Sequence, residues 1–221
     1  MTAAKKRARS HGISAGARAQ WKATYEKERY DRLPWFQPEP SPTLVEAVKA
    51  GFFPKRGKVL DVGCGAGSNV LWLAGKGYRA YGVDLAPGAL RAARERADKA
   101  HLRIDVQEAD ALALPFPKGN FDAVLDHGCF HTLPISRRGD YRDEIARILG
   151  PDGRYLLVWV AREFTGEMGP THRPSVAEVA QVFEPRFLFQ RTTFRSSTYD
   201  GGLPAYAGWL LRRKAPQPKR R

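Results

Sequence analysis

VLDVGCGAGSNVLWLA, residues 59–74, is the stretch from which the rest of the chain is read. Val59, Leu60 and Val62 form a short apolar run ended by glycine, the pattern of a buried central strand of a parallel sheet. Gly63, Gly65 and Gly67 then turn the chain sharply. Alternating glycines permit positive φ and leave no Cβ between the backbone and a ligand, and the segment Asn69–Ala74 starts a helix whose N-terminus faces the same spot. A strand, a tight loop and a helix cradling a small polar molecule are expected.

Spacing narrows the choice of molecule. A nucleotide-hydrolase phosphate loop ends in Gly-Lys-Ser or Gly-Lys-Thr, whereas Gly67 is followed by Ser68 with no lysine. A dinucleotide fingerprint has glycines at its first, third and sixth positions. Here they fall at first, third and fifth, behind an acid, Asp61, that would repel a pyrophosphate. An α-amino group or a sulfonium would be attracted, which favours S-adenosylmethionine. DVGCGAG, followed by Asp84 in YGVDLA, resembles the glycine-rich motif and second-strand acid of class I S-adenosylmethionine-dependent methyltransferases. The resemblance implies an α/β Rossmann-like, doubly wound, mostly parallel seven-stranded sheet. It implies a cofactor site that includes Asp61, Gly63, Cys64, Gly65, Gly67, Asp84 and the adjoining Leu85.

The 221 residues, 43% hydrophobic, suffice for one well-buried α/β domain. No run of about 18 apolar residues is present and the N-terminus lacks a signal-peptide pattern, so no membrane partner and a cytoplasmic protein are expected. Cys64 and Cys129, the two cysteines, read as reduced thiols. Of the net charge of +14, +11 lies in residues 1–20 and 212–221, which hold no acid. The body, 21–211, has 26 basic and 23 acidic residues. The tails read as disordered and solvated; the competing reading gives them weak contact with a nucleic acid or another anionic partner. A chain trimmed of both tails is expected to keep cofactor binding.

Residues 21–50 open the domain. Trp21 and Tyr25 fall at helical spacing, the proline-rich run from Pro34 to Pro42 stops that helix, and Ser41 caps a new one with Pro42 at its first position. A helix followed by LPW and prolines resembles the entrance segment of thiopurine and thiol methyltransferases. With the glycine motif, it likens the chain to the small-molecule enzymes of that kind and of the methyltransferase type 11 group. The likeness implies a helical lid over the cofactor, with Trp35 among the contacting residues; simple packing of Trp21 and Trp35 on the domain is the alternative.

Strands and helices then alternate. Tyr78–Val83 is expected as the second strand, closed by Asp84, which stands 23 residues after Asp61, near the spacing at which an acid accepts from ribose hydroxyls. A helix cap is the plainer role for the same residue. Residues 87–99 read as a solvated surface helix, 102–107 as the third strand and 121–125 as the fourth. In the resembling family an acid after the third strand accepts from the adenine amine and the next backbone amide meets a ring nitrogen. Asp110 and Ala111 hold those positions, with a turn-forming aspartate as the alternative.

DHGCFHTLP, residues 126–134, lies beyond a strand's carboxyl end, where ligands of such sheets bind. Asp126, His127 and Gly128 are expected to border the methionyl part of the cofactor. Phe130 and His131 are expected to face the acceptor, with His131 and His127 the candidate catalytic groups. A histidine there could take a proton from a thiol, hydroxyl or amine, or orient it, or merely start a helix. Asp126, His127, Cys129 and His131 are too crowded in sequence to suggest a metal site. The loop 162–174, with His172, could border the acceptor.

SRRGDYRDEIARILGPDGRYLLVWV, residues 136–160, reads as a helix with Tyr141, Ile145, Ile148 and Leu149 on its buried side, then a Gly-Pro-Asp-Gly turn and the fifth strand. Residues 174–183 read as a helix, and 187–194 and 205–211 as a closing antiparallel pair. The resemblance spans 21–211 and implies methyl transfer to a small molecule, a thiol or other soft nucleophile by preference. An RNA or protein methyltransferase using the tails, and a module that binds the cofactor without transferring methyl, are the competing functions.

Overall fold

Residues 12–160, 173–199 and 203–212 are described by the structure, a computed structural model. The basic tails at 1–11 and 213–221 and the segment 161–172, with His172, lie outside the described residues. The strands are β1 (Lys58–Val62), β2 (Arg79–Asp84), β3 (Asp105–Glu108), β4 (Phe121–His127), β5 (Leu149–Val160), β6 (Phe187–Tyr199) and β7 (Leu203–Arg212). The helices are α1 (Ala15–Lys27), α2 (Pro42–Lys49), α3 (Ser68–Gly75), α4 (Pro87–Lys99), α5 (Arg138–Ile148) and α6 (Val176–Phe183). One sheet runs in the order β3-β2-β1-β4-β5-β7-β6. The pairs from β3 to β5 are parallel, and β7 alone runs antiparallel to both its neighbours.

That order places β1 between β2 and β4, so the chain's path reverses at β1 and opens a crevice beyond the carboxyl ends of β1 and β4. Both faces of the sheet are covered. On one, Leu60, Val62, Val124, Tyr155 and Leu157 pack against Tyr141 and Ile145 of α5 and Val179 and Phe183 of α6. On the other, Val59, Ala123, Leu125 and Leu156 meet Leu44 of α2, Val70 and Leu73 of α3, and Leu90 and Ala93 of α4. These strands are apolar on both faces because both are buried, and each fully buried Leu or Phe contributes roughly 1.5–3 kcal/mol.

Three helices, α1, α2 and α6, start at serines whose side-chain oxygens accept from their first amides. Ser41 accepts from the Leu44 amide at 3.4 Å. Ser175 and Glu178 form a reciprocal capping box on α6, with the Ser175 amide 2.7 Å from Glu178 Oε2.

Several expectations change. The tail boundary at residue 20 is wrong, because Ser14 caps α1 and the helix already runs from Ala15. The 87–99 helix is not simply solvated: Ala89, Leu90, Ala92, Ala93 and Ala97 are buried, and small side chains let it approach the sheet closely. The fourth strand continues through Asp126 and His127, which pair with Leu157 and Val158 of β5. Gly150–Gly153 form no free turn before the fifth strand. They loop out within β5, whose pairing with β4 jumps from Phe121–Leu149 to Ala123–Arg154.

Candidate cofactor and acceptor site

At the crevice the backbone turns back on itself. The Gly63 and Cys64 amides both donate to the Val83 carbonyl, at 2.8 and 2.9 Å, which fastens the loop across the end of β2. Gly67 has φ +82°, and a Cβ there would lie 2.9 Å from Cβ of Ala93; at Gly63, φ +71°, it would lie 2.8 Å from Cβ of Cys129. Both positions therefore require glycine for conformation and for space. Beside the loop, Asp84 Oδ2 accepts from the Gly65 amide and Oδ1 from the Ala86 amide, each at 2.9 Å. The N-cap of α4 is Ala86, with no side-chain cap, so Asp84 does not cap that helix, and each of its oxygens keeps a lone pair for a ribose hydroxyl. Burial pushes the Asp84 carboxyl above its ordinary value, and these amides pull it partly back.

Asp61 sits beneath the loop, 1% exposed. The side-chain amide of Asn69 donates to it, while its Oδ2 is buried and meets no donor. Burial raises its pKa strongly, and the nearby Asp126 and Asp84 carboxylates raise it further. The Asp84 carboxylate at the loop and the orphaned Asp61 oxygen beneath it favour a cation in the crevice, as S-adenosylmethionine would bring.

A cavity of about 500 Å³ runs from this loop to the end of β4. Among the predicted residues, Gly63, Cys64, Gly65, Gly67, Asp84, Leu85, Ala111, His127, His131 and Trp35 line it. Asp61, Asp110 and Asp126 do not.

Asp126 was expected at the methionyl end; instead it is fully buried and faces inward. Its carboxylate accepts from the Cys129 amide at 2.8 Å, from the Phe130 amide at 3.0 Å and from the Tyr141 hydroxyl. It thus folds the chain into the helical turn Phe130–Thr132 that aims His131 at the cavity. Phe130 likewise faces the core rather than the acceptor, against Phe183 and Tyr141.

Asp110, expected at the adenine amine, is already engaged. Oδ2 accepts from the Ile13 amide at 2.6 Å and from Arg18 at 2.9 Å, and Oδ1 from the Leu112 amide at 2.9 Å. An adenine amine would have to share those oxygens.

His131 is 7% exposed, and its Nδ1 accepts from the Val160 amide at 3.2 Å. That bond fixes the neutral ring's proton on Nε2, which suits a donor that orients an acceptor better than a base that takes its proton.

The entrance segment closes the site. Trp21, Tyr25, Pro34, Trp35 and Phe36 line the cavity. Trp35 Nε1 donates to the Tyr25 hydroxyl at 3.1 Å, and the Trp21 and Trp35 rings meet edge to face at 5.6 Å. The Tyr25 hydroxyl lies so near Gly65 that a Cβ there would be 3.1 Å away. Burial and the Asp84 charge push that hydroxyl's pKa upward.

Sequence reasoning missed what ties this lid down. Gly88 lets α1 lie on the start of α4, since a Cβ there would stand 2.8 Å from the Tyr25 carbonyl. Arg96 of α4 donates to the Ala66 carbonyl at 2.6 Å and the Pro38 carbonyl at 3.2 Å, with its guanidinium 5.2 Å from the Phe36 ring. Asn69 accepts from the Ser41 amide at 2.8 Å, and Lys22 pairs with Glu108 at 2.7 Å. The only local signal was polar residues at helical spacing; their partners lie far along the chain.

The trimming expectation changes accordingly, since Ile13 lines the cavity and Arg18 holds Asp110. Removing residues 1–20 is expected to weaken S-adenosylhomocysteine binding about tenfold, the scale of one charge-assisted hydrogen bond. Removing 1–11 is expected to leave it within threefold. Calorimetry on both truncations checks this; equal affinities would exclude a role for residues 12–20.

Residues 59–153 match a family described as a methyltransferase domain. The chain is 29% identical to the 2-heptyl-1-hydroxyquinolin-4(1H)-one methyltransferase of Mycobacteroides abscessus, over 68% of this chain. It spans 66% of that relative's length, just under two thirds. A solved structure described under the conversion of a disulfide bond into a thioacetal group during echinomycin biosynthesis superposes with a TM-score of 0.78. That pair is 27% identical and covers 89% of this chain and 92% of the other. Magnesium protoporphyrin IX methyltransferase from Synechocystis, solved with bound S-adenosylhomocysteine, shares the fold at 17% identity, with a TM-score of 0.70 over 89% of this chain and 98% of its own. With its sheet order, its glycine loop and the acid at the end of β2, the chain has the fold of the class I S-adenosylmethionine-dependent methyltransferases, and its residues 59–153 match the methyltransferase domain family.

Proposed function

We propose that this chain transfers a methyl group from S-adenosylmethionine to a small-molecule acceptor, a thiol or other soft nucleophile. The observation that carries the proposal is the single cavity that joins the glycine loop and Asp84 to His127 and His131 under an aromatic lid. When bound, the cofactor supplies a methyl group on a cationic sulfur, open to attack by an acceptor lone pair as the methyl–sulfur electron pair returns to sulfur. Asp84 would take the ribose hydroxyls, the amide of Ala111 the adenine ring, and the carboxylates of Asp61 and Asp84 the positive charge. Trp21, Tyr25 and Trp35 would exclude water, and His131 would orient the acceptor; holding two reactants in line can by itself contribute several kcal/mol.

Three further observations support a small acceptor. The lid lines one side of the cavity, the relative from Mycobacteroides abscessus is named for a hydroxyquinolone, and the echinomycin structure concerns sulfur chemistry. The likeness of the entrance segment to thiol methyltransferases favours sulfur. S-adenosylhomocysteine is expected to bind with a dissociation constant on the order of 1–100 μM, the scale of a typical substrate constant. Mass spectrometry of reactions with methyl-labelled cofactor and a panel of thiols, hydroxyls and amines should then show label on thiols. No binding would remove the cofactor reading; label on hydroxyls alone would remove the thiol preference.

A further inference from the structure

We propose that the acceptor binds as an anion and that Arg173 holds its negative charge; this rests on the methyltransferase reading above. Arg173 lines the cavity, and its Nε and Nη1 are buried without a hydrogen-bond partner. A guanidinium cannot shed its charge near neutral pH, and leaving buried donors unpaired is costly, so such a group points to a missing anionic partner.

Arg173 precedes the Ser175 cap of α6, whose first-turn Glu178 interacts electrostatically with Arg138. The Arg138 guanidinium in turn lies 5.3 Å from the ring of Phe130, the neighbour of His131. The start of α6 is thus tied to the turn that carries His131, and Arg173 and His131 line the same cavity. The lining there offers donors, with the His131 proton held on Nε2 by the Val160 amide.

An anionic acceptor also removes the need for a base. An acidic hydroxyl or thiol that has already lost its proton supplies the lone pair that forms the new bond to the methyl carbon. The methyl–sulfur bond breaks onto sulfur, so an anion and a sulfonium give a neutral methylated product and a neutral thioether. No proton moves in that step, in keeping with a His131 whose Nδ1 is occupied.

Calorimetry on the full chain saturated with S-adenosylhomocysteine tests this with acidic and neutral probes of matched shape. These are 2-heptyl-1-hydroxyquinolin-4(1H)-one against 2-heptylquinolin-4(1H)-one, and thiophenol against toluene, at a pH where the acidic members are ionised. Each anion is expected to bind more tightly than its neutral partner. Arg173→Gln should weaken the anions on the order of 30-fold, with the neutral compounds changed less than threefold, and Arg173→Lys should restore part of the loss. Affinity for S-adenosylhomocysteine should stay within threefold in both variants, which also reports that they are folded. Anions bound no better than their neutral partners, or weakened no more than these by Arg173→Gln, would overturn the proposal. A selective loss of S-adenosylhomocysteine would also overturn it, assigning the guanidinium to the cofactor's carboxylate. If the wild-type chain binds no S-adenosylhomocysteine, the methyltransferase reading fails instead, and the same pairs titrated into the free chain decide whether Arg173 is an anion site.

Discussion

Asp84→Ala is expected to raise the dissociation constant of S-adenosylhomocysteine about 100-fold. Two hydrogen bonds from ribose hydroxyls to a charged acceptor are each worth about 1.5–3 kcal/mol, and a factor of 100 is the lower end of their sum. The same carboxylate also holds the Gly65 and Ala86 amides at 2.9 Å, so its loss relaxes the loop that receives the cofactor. Asp84→Asn separates the two contributions. An amide oxygen can still accept from one backbone amide but carries no charge, and an intermediate loss of about tenfold is expected. Calorimetry measures both variants, with urea unfolding to confirm that each is folded. An alanine variant that binds within threefold of wild type would show that Asp84 only fastens the loop to the entry of α4.

Asp126→Ala should lower stability by about 3–5 kcal/mol, a large part of the 5–15 kcal/mol typical of a domain. The reason is local: the Cys129 and Phe130 amides and the Tyr141 hydroxyl all donate to this fully buried carboxylate and would lose their acceptor together. Urea unfolding checks it, and a cost below about 1 kcal/mol would mean that the turn holds itself.

Its titration gives a second signature. Burial raises the Asp126 pKa from 3.8 to about 7, against the lowering effect of its donors. Between those values the unfolded chain has lost its proton while the folded chain keeps it. Each unit of rising pH in that window therefore costs the fold up to about 1.4 kcal/mol, and the loss is complete above pH 7. Asp126→Asn, which cannot ionise, is expected to flatten the fall in stability between pH 4 and 7. An unchanged slope would place the titration elsewhere.

The stretch from Val59 to Ala74 determined the fold by itself because its information is local. An apolar strand, three glycines and a helix start need only their own residues to turn the chain, and Asp84 is marked by standing at the end of the next apolar run. The cofactor was legible for the same reason. What side chains do after folding was less so. Asp110 and Asp126 look alike in sequence, each an acid near the end of an expected strand, yet Asp110 is clasped by Ile13 and Arg18 from residues 97 and 92 positions away, and Asp126 turns inward to Tyr141. The seat of the lid on α4 through Gly88 and Arg96, and the presence of Arg173 and His131 in one cavity, likewise depend on which segments meet. Local pattern fixes backbone geometry, whereas a charge's partner depends on which distant residues the sheet order brings within about 3 Å, the reach of a hydrogen bond, and only the tertiary structure decided that.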